Sequence, residues 1–523
     1  MGLLALASFA PALTNGFIAD DGPLLARRLR GVGWGDLGGL FTQTYWGDEY
    51  PNGLYRPVAL GVIAAERLLF GDATVPYHAL GLLLHAANAL LLLRVLGRLG
   101  DRAVAWMAAM VFACHPVHAE AVITVYGHVD LLAALFALVS IDRFLAMRAP
   151  NATRVVLWAN GIAMAMAFAV ALGCKESVLI VPLLTVLIRG LYRRVGGRGL
   201  RRWIGWPQAV LFAIVAAYFT VRYTVIGELG PGPEATVTYG YPLTARLKVM
   251  IVALAHHIRL AVLPWGQTTY YGHLRDSIFG RPWAEMSWLV IALVGAALVV
   301  RWTRSRAALL GLGWFAIGLL TVMHLAPIGA IVGERFLYLP SAGVALVIGA
   351  VLRRCQGNTP GSSPASSPAS CPHGTATKRV TLLLLVAAAV AADFAVCRQW
   401  RNEESLWRHT IHYHPRSPNA HALLGLALVE RLPQTTDADD RARLTAEARE
   451  HFQTALELNP HSADALRGLG LLAMQRGDLA QAAAYLQQAG RSRPHDPAIH
   501  DARDALKRQM EQRRPAHENR PAP

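Results

Sequence analysis

The sequence predicts an all-α fold: a polytopic membrane core of the helical type followed by a C-terminal α-solenoid. Three observations carry this. Of 523 residues, 54% are hydrophobic and only 16% charged, with a mean hydropathy of +0.33; a soluble globular chain carries about 25% charge. Apolar runs long enough to cross about 30 Å of hydrocarbon recur from the first residues to Cys397. Beyond them a repeat appears, with Pro460 and Pro494 separated by 34 residues, the tetratricopeptide period.

The formal charge of +16 is unevenly placed. From Arg398 onward there are 18 Lys and Arg against 16 Asp and Glu, so the excess lies in the hydrophobic part. Basic residues that punctuate apolar runs set topology, so no nucleic-acid partner is expected. The five cysteines (Cys114, Cys174, Cys355, Cys371, Cys397) show neither a CxxC spacing nor a disulfide framework.

Apolar runs are read near 1–18, 76–97, 104–119, 121–146, 155–172, 177–192, 207–225, 247–264, 286–302, 307–325, 337–352 and 380–397. Clusters such as Arg94/Arg98/Arg102, Arg143/Arg148/Arg154 and Arg301/Arg304/Arg306 fall in alternate loops. The positive-inside rule puts them in the cytoplasm. Consistency requires that 247–264, with His256, His257 and Arg259, does not cross. Eleven crossings then leave the N-terminus cytoplasmic and everything after 397 outside. Residues 19–75 are read as a long external loop.

The core is assigned to 1–355. Residues 356–378 are read as a Ser/Pro-rich cytoplasmic linker that cannot bury apolar surface, and 379–398 as the last transmembrane helix. Residues 399–514 are read as repeats with a polar capping helix at 497–512, and 515–523 as a disordered tail. Within the repeats, Leu466, Leu469-Gly470, Gly477, Ala482, Leu486 and Ala489 keep the tetratricopeptide spacing. The preceding repeat has Leu424-Gly425, Ala448, Phe452 and Ala455, with an insertion at 433–441. Such arrays bind partners on a concave face, so the chemistry is expected in the core.

The polar residues of the core gather at one predicted side. The first helix ends in Asp20-Asp21; then come Arg56, Tyr77-His78 with His85, His115-Pro-Val-His118-Ala-Glu120, Gly127-His-Val-Asp130, Lys175-Glu176 and Glu334-Arg335. Polar groups at membrane depth are costly, so one-sided clustering argues for a shared cavity. Adjacent carboxylates repel, which raises one toward a useful base. The His115/His118/Glu120 run fits a metal site or a hydrogen-bonded helix break, and the break is preferred. Lys175 and Glu176 fit a neutralising pair as well as a ligand contact.

In order, NGFIADD, YWGDEYPNGLYRPV, HALGLLLHAANA, HPVHAEAV, GHVDLL, KES and ERFLYLPSAG resemble the transmembrane and tetratricopeptide-repeat-containing proteins, O-mannosyltransferases of the GT-C superfamily. The chain departs by carrying His128 where that family usually has Arg, and by a shorter repeat array. The Ala/Arg-rich composition points to a bacterial member in the inner membrane. The resemblance implies a GT-C core, an extracytoplasmic site, a polyprenyl-phosphate sugar donor, and a hydroxyl acceptor on protein Ser or Thr. It implies Asp20 and Asp21 as the catalytic pair, Asp20 as base and Asp21 positioning the acceptor or holding Asp20 ionised. Arg56, Lys175 and Arg335 are then the candidate cations for the donor phosphate, with Glu176, His115, His118 and Glu120 also at the substrate site. Transfer would invert the anomeric centre, with no nucleotide loop; no cofactor is assigned, and a divalent metal is the less favoured alternative. The readings set against this are a non-enzymatic repeat scaffold, an O-antigen or pilin-type glycan ligase, and a lipid flippase.

Overall fold

The computed structural model describes residues 1–47, 53–148, 153–192, 204–229, 242–269, 271, 283–324, 330–355 and 372–513, all helix or connection without a strand among the described residues. The chain divides into two units at Arg401/Asn402.

Each apolar run read from the sequence contains a helix in the first unit. Its elements are α1 (Gly2–Phe9), α2 (Pro57–Phe70), α3 (Thr74–Gly97), α4 (Arg102–Ala113), α5 (Ala119–Ile123), α6 (His128–Ala146), α7 (Arg154–Cys174), α8 (Val181–Leu191) and α9 (Trp206–Ile226). After these come α10 (Leu243–Val262), α11 (Trp283–Thr303), α12 (Arg306–Leu319), α13 (Ser341–Cys355) and α14 (Pro372–Gln399). Among the described residues, four helices are each long and apolar enough to span a bilayer: Thr74–Gly97, Arg154–Cys174, Trp206–Ile226 and Met286–Thr303. Arg102–Ala113 and Pro116–Ile123 together form a candidate span bent by 54°. Pro116 lacks an N–H and starts a new turn there, which accounts for the break. With these apolar helices, the chain is a multi-pass membrane protein.

Helices α12 and α13 cross where Gly311 faces Gly343. A Cβ added at Gly343 would lie 2.4 Å from the Gly311 carbonyl oxygen. Only glycine lets two backbones approach so closely, the usual device of helix pairs in lipid.

Two readings are corrected by the helix boundaries. Residues 19–75 are not simply a loop: Pro57 opens α2, whose Ala59, Leu60, Ile63 and Ala64 are buried. The run is short, carries Glu66 and Arg67, and so escapes a search for bilayer-length segments. The last core helix begins at Pro372 rather than 379. Most of the Ser/Pro-rich segment, and residues 514–523, lie outside the described residues.

The second unit contains α15 (Glu403–Tyr413), α16 (Pro418–Arg431), α17 (Ala438–Leu458), α18 (Ala463–Arg476), α19 (Leu479–Ser492) and α20 (Pro497–Gln512). Its helices start on Asn402, Ser417, Asp437, Ser462, Asp478 and Asp496, whose side chains each accept a backbone N–H of the first turn. Such caps contribute about 1 kcal/mol each. Phe452 is fully buried against two glycines: a Cβ at Gly468 would lie 2.1 Å from its ring, and one at Gly425 2.5 Å. Gly477 ends α18 at φ 82, a conformation glycine adopts without strain.

Candidate active site

The site is assembled from the polar ends of the core helices. After α1 the chain makes a short 3-10 turn to Thr14 and then turns sharply, with Ala19 at φ 51. A left-handed alanine costs about 1 kcal/mol, and here it separates the fates of the two aspartates. Asp21 is fully buried and accepts hydrogen bonds from the backbone N–H of Ile18 (3.3 Å) and of Tyr126 (2.9 Å). It ties the turn to the connection between α5 and α6. Asp20 is exposed, and its carboxylate has no hydrogen-bond or ion-pair partner among the described residues. Yet enough protein surrounds it that desolvation raises its pKa, opposed by Arg335 and reinforced by Glu120. Burial lifts Asp21 to about 7 despite its two N–H donors.

Three sets of charges lie in the same region of the core. In the first, Glu120 is buried and takes the Arg335 side chain through one Nη and the Arg335 backbone N–H at 2.9 Å. Tyr126 lies under that guanidinium, 4.8 Å from ring centre to Cζ, and its hydroxyl donates to Glu120 at 3.3 Å. In the second, Arg56 Nε donates to Glu176 at 3.0 Å and Arg222 Nη1 donates to its other oxygen at 3.1 Å. Desolvation of Glu176 is outweighed by these two arginines, so it is held below the usual carboxylate range. In the third, Lys175 Nζ donates to Asp130 at 2.5 Å. Burial pulls Lys175 down to about 8, with Asp130 opposing and Arg56 and Arg335 adding to the fall. The sets share one electrostatic environment. Asp130 acts on Arg335 as well as on Lys175, and buried Tyr45 feels Arg56, Asp20, Asp21 and Arg335 together.

Of the two readings of Lys175 and Glu176, the neutralising pair is not formed: each has its own partners. Lys175 is extended, at φ −160 and ψ 141, and Glu176 opens a 3-10 turn, so consecutive side chains diverge to different partners. The His115/His118/Glu120 run diverges too. His115 caps its own turn at Val117 N (3.2 Å) and meets the Ala261 carbonyl at 3.1 Å; His118 meets Ser341 Oγ at 2.7 Å. These are the bonds of a helix break. Among the described residues no three His, Cys, Asp or Glu side chains converge as a metal site. His78 and His85 are structural: His78 reaches the Asn15 carbonyl at 3.1 Å and His85 the Tyr338 hydroxyl at 2.8 Å. His128, at the departure from the family pattern, pairs with buried Glu66 of α2 at 3.0 Å.

Sequence reasoning passed over Arg222, Tyr45 and Tyr126. Arg222, 2% exposed inside an otherwise apolar helix, carried a usable signal, since a charge at such a position needs a partner. Tyr45 opens the motif YWGDEYPNGLYRPV but was not singled out, and Tyr126 carried no signal.

A tetratricopeptide repeat family matches residues 436–497. The protein O-mannosyl-transferase TMTC4 of Mus musculus is 24% identical over 494 residues, covering 83% of this chain and 64% of its own. Human TMTC4 is 25% identical over 499 residues with the same coverages, and human TMTC3 24% over 350 residues, covering 59% of this chain and 37% of its own. The chain is a relative of these protein O-mannosyl-transferases. The resemblance read from its motifs holds, and the chain spans about two thirds of TMTC4, at 64%. Among solved structures, ArnT from Cupriavidus metallidurans bound to undecaprenyl phosphate aligns over 93% of this chain and 78% of its own at 14% identity, with a TM-score of 0.44.

Proposed function

We propose that the chain is an integral-membrane GT-C glycosyltransferase that moves a mannose-like sugar from a polyprenyl-phosphate donor to a protein Ser or Thr hydroxyl, with inversion. The observation that carries this is Asp20: an accessible carboxylate without a partner among the described residues, near enough to Arg335 to feel its charge, with Arg56 and Lys175 in the same network of charges. The TMTC relatives, named as protein O-mannosyl-transferases, support the sugar and the acceptor.

Asp20 takes the proton of the acceptor hydroxyl as that oxygen bonds to the anomeric carbon. The bond from that carbon to the phosphate oxygen breaks, and the lipid phosphate leaves with the electron pair. Asp21, clamped by two backbone N–H groups, fixes the turn that aims Asp20. Arg335 spends one Nη on Glu120, and Arg56 spends Nε on Glu176. Of the five N–H donors of each guanidinium, the rest suit a phosphate. The carboxylate partners hold the guanidinium planes, so little order has to be created when the donor arrives.

The reading places the N-terminus in the cytoplasm and the repeats outside, in a bacterial inner membrane, with α10 not crossing. Its support is internal. Arg94 and Arg98 meet buried Asp142 at 3.0 and 2.6 Å near the C-terminal ends of α3 and α6. His78 and Asp130 lie near the N-terminal ends of the same two helices. The repeats then face protein acceptors or partners.

One experiment tests chemistry and side together. Purified protein is reconstituted in right-side-out and inverted vesicles with polyprenyl-phosphate-mannose and an added Ser/Thr peptide. Glycosylated peptide is expected only where the repeat face is outward. No product in either orientation contradicts the enzyme reading, and product only in inverted vesicles contradicts the orientation.

A further inference from the structure

Beside Arg335 lies a narrow crevice with a cavity volume of only about 10 Å³, with Asp130, Ser177, Thr321, Phe336 and Tyr338 among its walls. It is too tight for a sugar ring, but it has room for one group the size of a water or a hydroxyl. Its inner wall carries an unusual group. Asp130 is 6% exposed; its Oδ1 accepts from Lys175 Nζ at 2.5 Å, while Oδ2 is buried without any hydrogen-bond partner among the described residues. A buried carboxylate oxygen left unpaired is costly and calls for a partner supplied from elsewhere. Lys175 fixes the carboxylate in place, and Ser177 and Thr321 add hydroxyls that can donate or accept.

We infer that this crevice is the sugar-recognition subsite, in which Asp130 Oδ2 accepts a hydrogen bond from a ring hydroxyl of the transferred hexose. The chemistry selects the ligand class. A site facing a lone carboxylate oxygen favours a hydroxyl donor and disfavours an anion. Arg335, one of the candidate phosphate groups, lines the same crevice, so a hydroxyl seated there belongs to a ring whose phosphate lies nearby. The inference rests on the glycosyltransferase reading and adds to it the residue that tells a glycosylated lipid from a bare one.

The test compares equilibrium binding of polyprenyl-phosphate-mannose with that of polyprenyl phosphate to the full-length protein in detergent. Wild type is expected to prefer the mannosylated lipid. Asp130→Asn is expected to lose about tenfold or more of that preference, the worth of a hydrogen bond to a charged acceptor, while its affinity for polyprenyl phosphate does not fall, because the carboxylate that opposes Lys175 and Arg335 is removed. Ser177→Ala leaves the Lys175–Asp130 pair intact and serves if Asp130→Asn does not fold; it is expected to lose about threefold of the preference, as for a neutral hydrogen bond. A preference unchanged in the folded variants overturns the subsite alone. Wild type that binds neither lipid overturns the glycosyltransferase reading and the subsite with it.

Discussion

The polar end of the membrane unit and the core of the repeat unit are built on opposite principles. In the repeat unit, the partners that fix a side chain lie within one period of the chain: Phe452 packs on Gly425 and Gly468. At the polar end the partners are remote: Asp21 and Tyr126 are 105 residues apart, Arg56 and Glu176 are 120, and Glu120 and Arg335 are 215. The repeat is held by small residues and apolar packing, the polar end by ion pairs that each need a second, distant helix. A defect in the first is therefore a packing defect, and a defect in the second strands a charge.

That contrast sets the order of expected effects. Glu120→Gln leaves Arg335 without its carboxylate in a largely desolvated place, and removing one partner of a buried pair costs about 3 kcal/mol or more. Thermal unfolding of the detergent-solubilised protein checks this. The double variant Glu120→Gln/Arg335→Gln is expected to recover part of the loss, because no charge is then stranded. Strict additivity would show that the two side chains do not act as a pair.

Gly468→Ala is expected to cost about 1–3 kcal/mol by overpacking, since its Cβ would meet the Phe452 ring at 2.1 Å. Hydrogen exchange in α17 and α18 reports it locally. Phe452→Leu on the same background is expected to relieve part of the strain, which an unrelated destabilisation would not allow.

The smallest effect is a pH dependence confined to the repeat unit. His421 Nδ1 and His451 Nδ1 lie 3.0 Å apart. Burial, then His421, lowers the His451 pKa from 6.5. A histidine kept neutral by folding binds more protons when unfolded, so stability is complete above pH 6.5 and falls as the pH drops below it. The groups facing His451 are His421, Glu447, Arg408 and Glu450. Hydrogen exchange of α16 and α17 is expected to quicken between pH 7 and 5, and His451→Gln to flatten the change.

The same contrast explains what was legible in the sequence. Pro460 and Pro494 with the small residues between them reveal the array because its contacts repeat along the chain. The apolar runs reveal the core helices because a bilayer imposes length and composition. The one-sided placement of Asp20, Glu120, Lys175 and Arg335 was legible for the same reason. Their pairing was not: adjacency suggested Lys175 with Glu176, whereas an extended residue followed by a 3-10 turn sends them to Asp130 and to Arg56 with Arg222. Helix α2 escaped because its burial comes from neighbouring helices rather than from its own hydropathy.

The central claim is that the two aspartates differ in kind, Asp20 acting on substrate and Asp21 holding the turn. Initial rates of mannose transfer from polyprenyl-phosphate-mannose to a Ser/Thr peptide decide it, measured for wild type, Asp20→Asn and Asp21→Asn at equal folded protein. Asp20→Asn is expected to lose about 10²–10⁴-fold in rate, as for removal of a general base, with unchanged thermal unfolding because its carboxylate has no partner among the described residues. Asp21→Asn is expected to lower the unfolding temperature and to lose less activity, because it breaks the link to Tyr126. Near-normal transfer by Asp20→Asn would contradict the account.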